Sequence, residues 1–508
     1  MPRHRHLTAA IALTAALTAA LTASHPATAQ TLRFGLNNDP DLLDPTTSRT
    51  FVGTAVMTAI CDKLFDFDEN LNLVPKLATG YTWINPTTVD LKIRQGVTFQ
   101  DGEKLDAAAV KYTLDRHINT PTSFRKAELG AMDKAEVINP ETLRITLKQP
   151  SQPFLAAFTD RAGMIVSPKA AEATGKDFGL HPVCAGPFAF TERVAQDHIT
   201  LDRYPGYWDA KSIHFDRVIY RPMTDSAIRL ANLKAASLDM ADIVPSDAEA
   251  VKSDPKLQLL SSPGLGYLGI SINIGPNPQA NTPIGRDARI RRAFELTIDR
   301  TALVNVVFNG FYTPTAQAIS AGSPMHVPEI TPPARDLVAA AKLLKEAGAT
   351  LPVVVKLTIP NNPQSIQVAE VIQSMAREGG FDVQPTVMDF GTALATTQRG
   401  DYAAFLIGWS GLLDADSNIY SFLHTGGPLN ITTYSNKIVD AALDAARTEA
   451  DPAKRRAEYA KLWVQERQDL SVLYLYTPSY LVGATAKLHG YKVLPDGLIR
   501  LQGASLAP

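Results

Sequence analysis

The chain reads as an α/β protein on three observations. Short segments of strict apolar/polar alternation recur from residue 31 onward. Longer segments with helical spacing stand between them, and 45% of the 508 residues are hydrophobic, enough for large cores. Residues 31–36 alternate as a strand and stop at the polar loop Asn37-Asn38-Asp39-Pro40. Residues 51–64 follow as a helix with Phe51, Val52, Ala55, Val56 and Ala59 inward. Val89, Leu91 and Ile93 alternate as a strand, Asp101-Gly102 turns the chain, and Asp106 caps a helix that runs to about His117. Leu143, Ile145 and Leu147 mark a further strand. The second half has longer helices. Residues 286–308 are helical with a break at Asp299, which caps the second part. A helix over 336–347 ends on Gly348, a C′ glycine. Then come a strand over 353–359, a helix over 364–377, a strand over 381–387 and an apolar strand over 402–407. Residues 437–468 hold two helices divided at Asp451-Pro452.

Residues 1–29 have the form of a secretory signal peptide. Arg3 and Arg5 open it, an Ala/Leu/Thr run follows, and Ala27-Thr28-Ala29 is a small-x-small cleavage signal before Gln30. No cysteine stands near the cut, so a soluble periplasmic protein without a lipid anchor is expected. Outside the cytoplasm there is no ATP or reduced nicotinamide, which leaves capture, hydrolysis, scaffolding and sensing. Removing the leader takes two of the 49 basic residues and none of the 51 acidic ones. The balance stays near neutral with no basic stripe, which argues against nucleic acid as a partner. No later apolar run is long enough to cross a bilayer. The remaining length suggests about three domain-sized units. The two cysteines, Cys61 and Cys184, form an even count in an oxidising compartment and are expected to be bonded.

Several motifs fail on context. Gly264-Leu265-Gly266-Tyr267-Leu268-Gly269 matches a dinucleotide fingerprint, which must open a helix. Here it runs into the alternating Ile270-Ser271-Ile272, a strand. Asp414-Ala415-Asp416-Ser417-Asn418 starts like a calcium loop but has Ile419 and Thr425 where glycine and glutamate are required. A cap by Asp416 for the apolar stretch 419–423 fits better. Gly408-Trp409-Ser410-Gly411 lacks the spacing of a nucleophile elbow. No catalytic residue, metal site or cofactor is therefore expected.

A set of segments, in order along the mature chain, resembles the peptide/nickel class (family 5) of periplasmic solute-binding proteins of ABC importers. Leu73-Val74-Pro75-Lys76-Leu77-Ala78 is similar to its "lvPgLA" signature, and Leu91–Gly102 to "LRkGVkFhDG". Ala185-Gly186-Pro187-Phe188 with Tyr204-Pro205-Gly206-Tyr207-Trp208 resembles "GTGPY…NpdYW", and Arg291-Arg292-Ala293-Phe294 with Ile298-Asp299-Arg300 resembles "VRqAl…aiDR". The resemblance implies a two-lobed clamp with two crossover segments and an extra subdomain in lobe I. The expected limits are lobe I over 30–272 with the subdomain over 66–184, lobe II over 273–482, and a return to lobe I over 483–508. It also implies a monomer that serves a homo- or heterodimeric ABC permease and carries a small-molecule or peptide ligand.

Ligand-binding candidates follow from this frame. Trp409 stands after an apolar strand, at the strand end where α/β sheets place ligands, and offers a flat face and an indole N–H. Peptide-binding relatives carry an aspartate three residues later that pairs with the ligand ammonium. Here that position is Leu412, so an anionic or N-blocked ligand is expected, with Asp414 or Asp416 as substitutes. Arg161 is the lobe I candidate, because a guanidinium holds both oxygens of a carboxylate. Asn37 and Asn38 are expected in the cleft, Tyr267 near the first crossover, and Asn430 and Tyr434 on a rim. The competing roles are structural: a core position for Trp409, an internal ion pair for Arg161, capping for the aspartates. The competing function is a periplasmic hydrolase or peptide chaperone.

Overall fold

The computed structural model describes residues 30–507; the expected signal peptide lies outside them. The chain folds into two α/β lobes, each built on its own sheet. Lobe I carries a seven-stranded sheet in the order Leu257–Pro263, Ser479–Thr485, Met240–Asp242, Thr31–Leu36, Arg217–Pro222, His198–Arg203, Phe188–Val194. Thr31–Leu36 pairs in parallel with the strands on both its sides. Leu32, Phe34 and Leu36 share one face and pack into a core with Val56, Met57 and Ile60. Those three come from the helix Phe51–Ile60, whose first turn is capped by the Thr50 hydroxyl accepting from the Gly53 N–H. This helix ends four residues before its apolar pattern does. Cys61 leaves it for the disulfide with Cys184. Asp62 then accepts from Tyr207 Oη at 3.0 Å and Trp208 Nε1 at 2.8 Å, so tertiary partners override the local pattern.

The subdomain of lobe I is a four-stranded antiparallel sheet, Ala78–Asn85, Thr88–Ile93, Thr142–Leu147, Met132–Asn139, with the helix Ala107–Asn119 contributing to its core. Asp106 caps that helix by accepting from the Ala108 and Ala109 N–H groups. Val89, Leu91, Ile93, Leu143 and Ile145 face the helix's Val110 and Leu114 in one core.

Lobe II carries a six-stranded sheet in the order Thr313–Pro314, Val472–Thr477, Tyr267–Ile272, Ala404–Trp409, Val353–Pro360, Phe381–Met388. Its helices start where acidic or Asn caps predict: Asp299 accepts from Ala302 N–H, and Asp451 from Ala453 and Lys454. Gly348 takes a φ of 65° just after the helix Leu337–Glu346. Tyr267–Ile272 is a strand and not a helix, as the rejection of the dinucleotide reading requires.

Sheet pairing moves both lobe boundaries. Tyr267–Ile272 lies before the expected limit at 272/273, yet it pairs with Ala404–Trp409 and Val472–Thr477 inside lobe II. Ser479–Thr485 begins before the expected limit at 482/483 and pairs with lobe I strands. The crossovers are therefore residues 264–266 and Pro478. Gly264 N–H donates to the Pro478 carbonyl at 2.8 Å and ties the two together. Alternation marks a strand in either sheet equally well, so it does not say which lobe owns it.

One buried acid in lobe II gives a pH signature. Glu466 is fully buried in the helix Pro452–Asp469. It accepts from Ser471 Oγ at 3.3 Å and Val472 N–H at 3.2 Å, and its Oε2 has no partner. Burial pushes its carboxyl up to about 7. A raised carboxyl stabilises the fold fully below its unfolded value, and this contribution is lost as pH rises through 7. Glu466→Gln removes the ionisation and should flatten the stability profile between about pH 4.5 and 7. The gain at pH 9 should be about 1–3 kcal/mol. Urea unfolding at several pH values checks it; parallel profiles for the two proteins would refute the assignment.

Candidate ligand cleft

The lobe II candidate, Trp409, ends the strand Ala404–Trp409 and opens the loop that follows it. Trp409 is half-buried and its ring meets Phe422 edge to face, with centroids 5.2 Å apart. Its indole N–H is already committed, donating to Asn418 Oδ1 at 2.9 Å. The same Oδ1 accepts from Leu412 N–H at 2.7 Å, and Asn418 Nδ2 donates to the Leu412 carbonyl at 2.9 Å. Asn418 thus holds the loop shut on itself. Gly411 sits at φ 86°, and a Cβ there would lie 2.3 Å from the Leu265 carbonyl carbon, so only glycine lets the loop rest on the first crossover. Trp409 thus packs against the lobe II core, and its indole N–H is not free.

Asp414 and Asp416, the expected substitutes for an ammonium partner, are engaged within lobe II. Asp414, not Asp416, caps the helix Ala415–Leu423, accepting from Asp416 N–H. Arg455 holds Asp414 in a two-point pair at 2.6 and 2.7 Å. Arg447 holds the buried Asp416 likewise at 2.7 and 2.9 Å. Three more expected residues serve inside the same lobe. Tyr267 belongs to a core with Tyr474, centroids 4.8 Å apart, where burial pushes its hydroxyl well up. Tyr434 is buried and donates to Asp469 Oδ2 at 2.7 Å. Asn430 Nδ2 donates to the carbonyls of His424 and Tyr434, and so shapes its own loop.

The lobe I candidate is Arg161. This residue lies in a 3₁₀ turn started by Asp160, whose carboxylate accepts the Arg161 N–H at 2.7 Å. Its guanidinium makes a single hydrogen bond, from Nη1 to the Ser48 carbonyl at 3.1 Å. Asp160 Oδ1 pairs with it at 3.7 Å from Nε, the internal ion pair expected as its competing role, although Nε has no hydrogen-bond partner. Behind it, the buried Arg125 pairs with Glu128, and Arg125 Nη2 also reaches the Ser48 carbonyl at 3.5 Å. Burial pushes the Glu128 carboxyl up, and burial pushes Arg125 down. Arg161 is thus the less committed cation of this cluster, with donor capacity to spare.

Tyr480, which the sequence reading passed over, reaches from lobe I to lobe II. Tyr480, two residues after the second crossover, stacks on Phe51 with centroids 5.5 Å apart and an interplanar angle of 13°. Its hydroxyl lies 3.4 Å from the Ser410 carbonyl, beside Trp409. Helices Ala415–Leu423 and Lys437–Thr448 of lobe II also approach the 3₁₀ segment Gln152–Thr159, which leads into Arg161. The Trp409 loop and the Arg161 turn therefore come from neighbouring segments of a lobe–lobe contact. Asn37 and Asn38 are exposed at the end of the first strand of lobe I. At the crossovers, a cavity of about 390 Å³ is bounded by both lobes, with Gly264, Leu265, Thr315, His326, Thr477 and Pro495 in its wall. Its volume falls in the range of small-molecule sites. Among the described residues, no three His, Cys, Asp or Glu side chains converge as metal ligands.

Two lobes on separate sheets, joined by two crossovers and facing each other across a cleft, define a ligand-binding clamp. The match to a family model over residues 72–430 agrees with that architecture, and the chain belongs to the bacterial extracellular solute-binding proteins of family 5. Such proteins are the solute-binding components of ABC importers. The chain is 30% identical over 482 residues to the glutathione-binding protein GsiB of Pectobacterium atrosepticum, covering 91% of this chain and 92% of that one. It is 32% identical over 475 residues to GsiB of Salmonella paratyphi A, covering 89% and 90%. Among solved structures it resembles the oligopeptide-binding protein AppA of Bacillus subtilis in complex with a nonapeptide. That likeness has a TM-score of 0.82 at 21% identity and covers 94% of this chain and 100% of that one. Among the described residues no helix is long and apolar enough to cross a membrane.

Proposed function

We propose that this chain is exported to the periplasm as a soluble monomer, captures a peptide-like, carboxylate-bearing solute between its lobes, and delivers it to an inner-membrane permease pair. The observation that supports the reading is that the segments carrying Trp409 and Arg161 meet at a lobe–lobe contact. Trp409 presents a ring face from lobe II, and Arg161 presents an under-used guanidinium from lobe I. A guanidinium with free donors suits a carboxylate, which it binds through two oxygens. The ring suits the apolar or planar part of a small peptide. Relatives named for glutathione, itself a tripeptide with two carboxylates, support this class of solute. Closure excludes water, so the solute must bind the closed form better than the open one. The relatives are binding proteins, which favours capture over hydrolysis.

Calorimetry with glutathione tests the reading. Trp409→Ala should weaken binding by about 1–3 kcal/mol through lost apolar contact. Arg161→Ala should cost about 2–5 kcal/mol if the guanidinium is a desolvated partner of a carboxylate. Wild-type affinity in Arg161→Ala would remove the carboxylate from the account.

A further inference from the structure

Lobe I holds a carboxylate that no cation of the described residues pairs with. Asp242 is the last residue of the strand Met240–Asp242 and stands opposite Val482 in antiparallel register. Residues opposite one another share a face, and so do residues two apart along a strand. Asp242, Val482 and Tyr480 therefore belong to the same face of the lobe I sheet. Phe51 stacks on Tyr480, so this is also the face that the helix Phe51–Ile60 covers. Asp242 lies at the crossover end of that face, level with the end of Thr31–Leu36, after which Asn37 and Asn38 are exposed.

Its hydrogen bonding is sparse. Oδ2 accepts from the Asn37 N–H at 3.1 Å, and no side-chain donor reaches either oxygen. Arg229 is the neighbouring cation, but its guanidinium is spent on backbone. Nε donates to the Asp242 main-chain carbonyl at 3.0 Å, and Nη1 donates to the carbonyls of Met223 and Thr224. The other titratable group facing Asp242 is the buried Tyr491, which carries no positive charge. Burial pushes the Asp242 carboxyl up to about 6, although the Asn37 N–H and the nearby charge of Arg229 act the other way. A half-buried carboxylate with no cation hydrogen-bonded to it is costly to the protein alone and is a mark of a site completed by something else.

We propose that Asp242 is the cleft's acceptor for a positively charged group of the solute, a primary ammonium. This rests on the reading of the cleft as a site for a peptide-like solute. It supplies from lobe I the negative charge that Leu412 withholds in lobe II. With Arg161 on the same lobe, the cleft carries one group for each end of a zwitterion. The expectation of an N-blocked ligand, drawn from Leu412 alone, then gives way to one that keeps its free amino group.

The test is a calorimetric cycle with glutathione and N-acetylglutathione on the full-length mature protein and on Asp242→Asn. The acetyl probe keeps both carboxylates and loses only the ammonium. Wild-type protein at pH 7.5 should prefer glutathione by about tenfold or more, as for a buried charge pair. The preference should fall away by pH 5, as Asp242 takes up a proton. Asp242→Asn should lose the preference, binding the two probes within about threefold of each other, and should melt no lower than the parent. Equal wild-type binding of the two probes overturns the role of Asp242 and leaves the peptide-like reading intact. Equal weakening of both probes in Asp242→Asn assigns the residue a structural role and also overturns it. Binding of neither probe by the wild type overturns both readings.

Discussion

Breaking the Cys61–Cys184 bond should lower the stability of lobe I by about 5 kcal/mol in the chain-entropy model, given its separation of 123 residues. Both sulfurs are buried, so reduction follows local opening and should be slow in native protein. The bond joins the end of the helix Phe51–Ile60 to the segment through which the subdomain returns to the lobe I sheet. Gln100 reinforces the same junction. Its Nε2 donates to the carbonyls of Ile60 at 2.8 Å and Phe188 at 2.9 Å, and its Oε1 accepts from Cys184 N–H at 2.8 Å. Urea unfolding of the Cys61→Ala/Cys184→Ala double variant checks the figure. Because the chain has several cores, the loss should fall on the lobe I transition, and lobe II should keep its midpoint. An unchanged lobe I midpoint would mean that the hydrogen bonds around Gln100 hold the junction without the bond.

The second large effect lies in lobe II. Glu295 is fully buried and accepts from three arginines: Arg300 Nη2 at 2.8 Å, Arg467 Nη2 at 2.9 Å and Arg292 Nη1 at 2.5 Å. Burial pushes its carboxyl up, but the guanidiniums of Arg300 and Arg467 outweigh that and hold it below its ordinary value. The cluster joins the helix Ala288–Leu296 to the helices Arg300–Phe308 and Pro452–Asp469. Glu295→Ala leaves buried guanidiniums with no counter-charge and should cost about 3–5 kcal/mol. Arg292 is the most exposed of the three cations, so Arg292→Ala should cost no more than about 1 kcal/mol. Chemical denaturation of the two variants separates them. Equal losses would place the energy in helix packing instead of charge.

The sequence made much of the scaffold legible because the signals are local. Asp106, Asp299 and Asp451 are each followed by a helix, and a Ser, Thr, Asp or Asn cap states where a helix starts without reference to anything distant. The Cys61–Cys184 bond was likewise legible from an even count and an expected compartment. What stayed hidden depends on partners far along the chain. Asp414 and Asp416 look like free carboxylates in a loop until Arg455 and Arg447 arrive from helices more than thirty residues later. Asn418 looked like the fifth position of a failed calcium loop, yet it is the clamp on Trp409 and Leu412. Tyr480 and Phe51 lie more than four hundred residues apart in the chain, and only the packing of the helix Phe51–Ile60 on the lobe I sheet puts them in one stack. Asp242 sits in an ordinary strand, and its lack of a cation is a fact about where Arg229 points.

The central claim is that the chain captures a peptide-like solute intact. Native mass spectrometry of the exported protein, incubated with glutathione and a pool of tripeptides, tests it most directly. The account predicts one unmodified solute molecule per chain, retained without any accumulation of cleavage products. Steady release of products, or no solute retained at all, would contradict it.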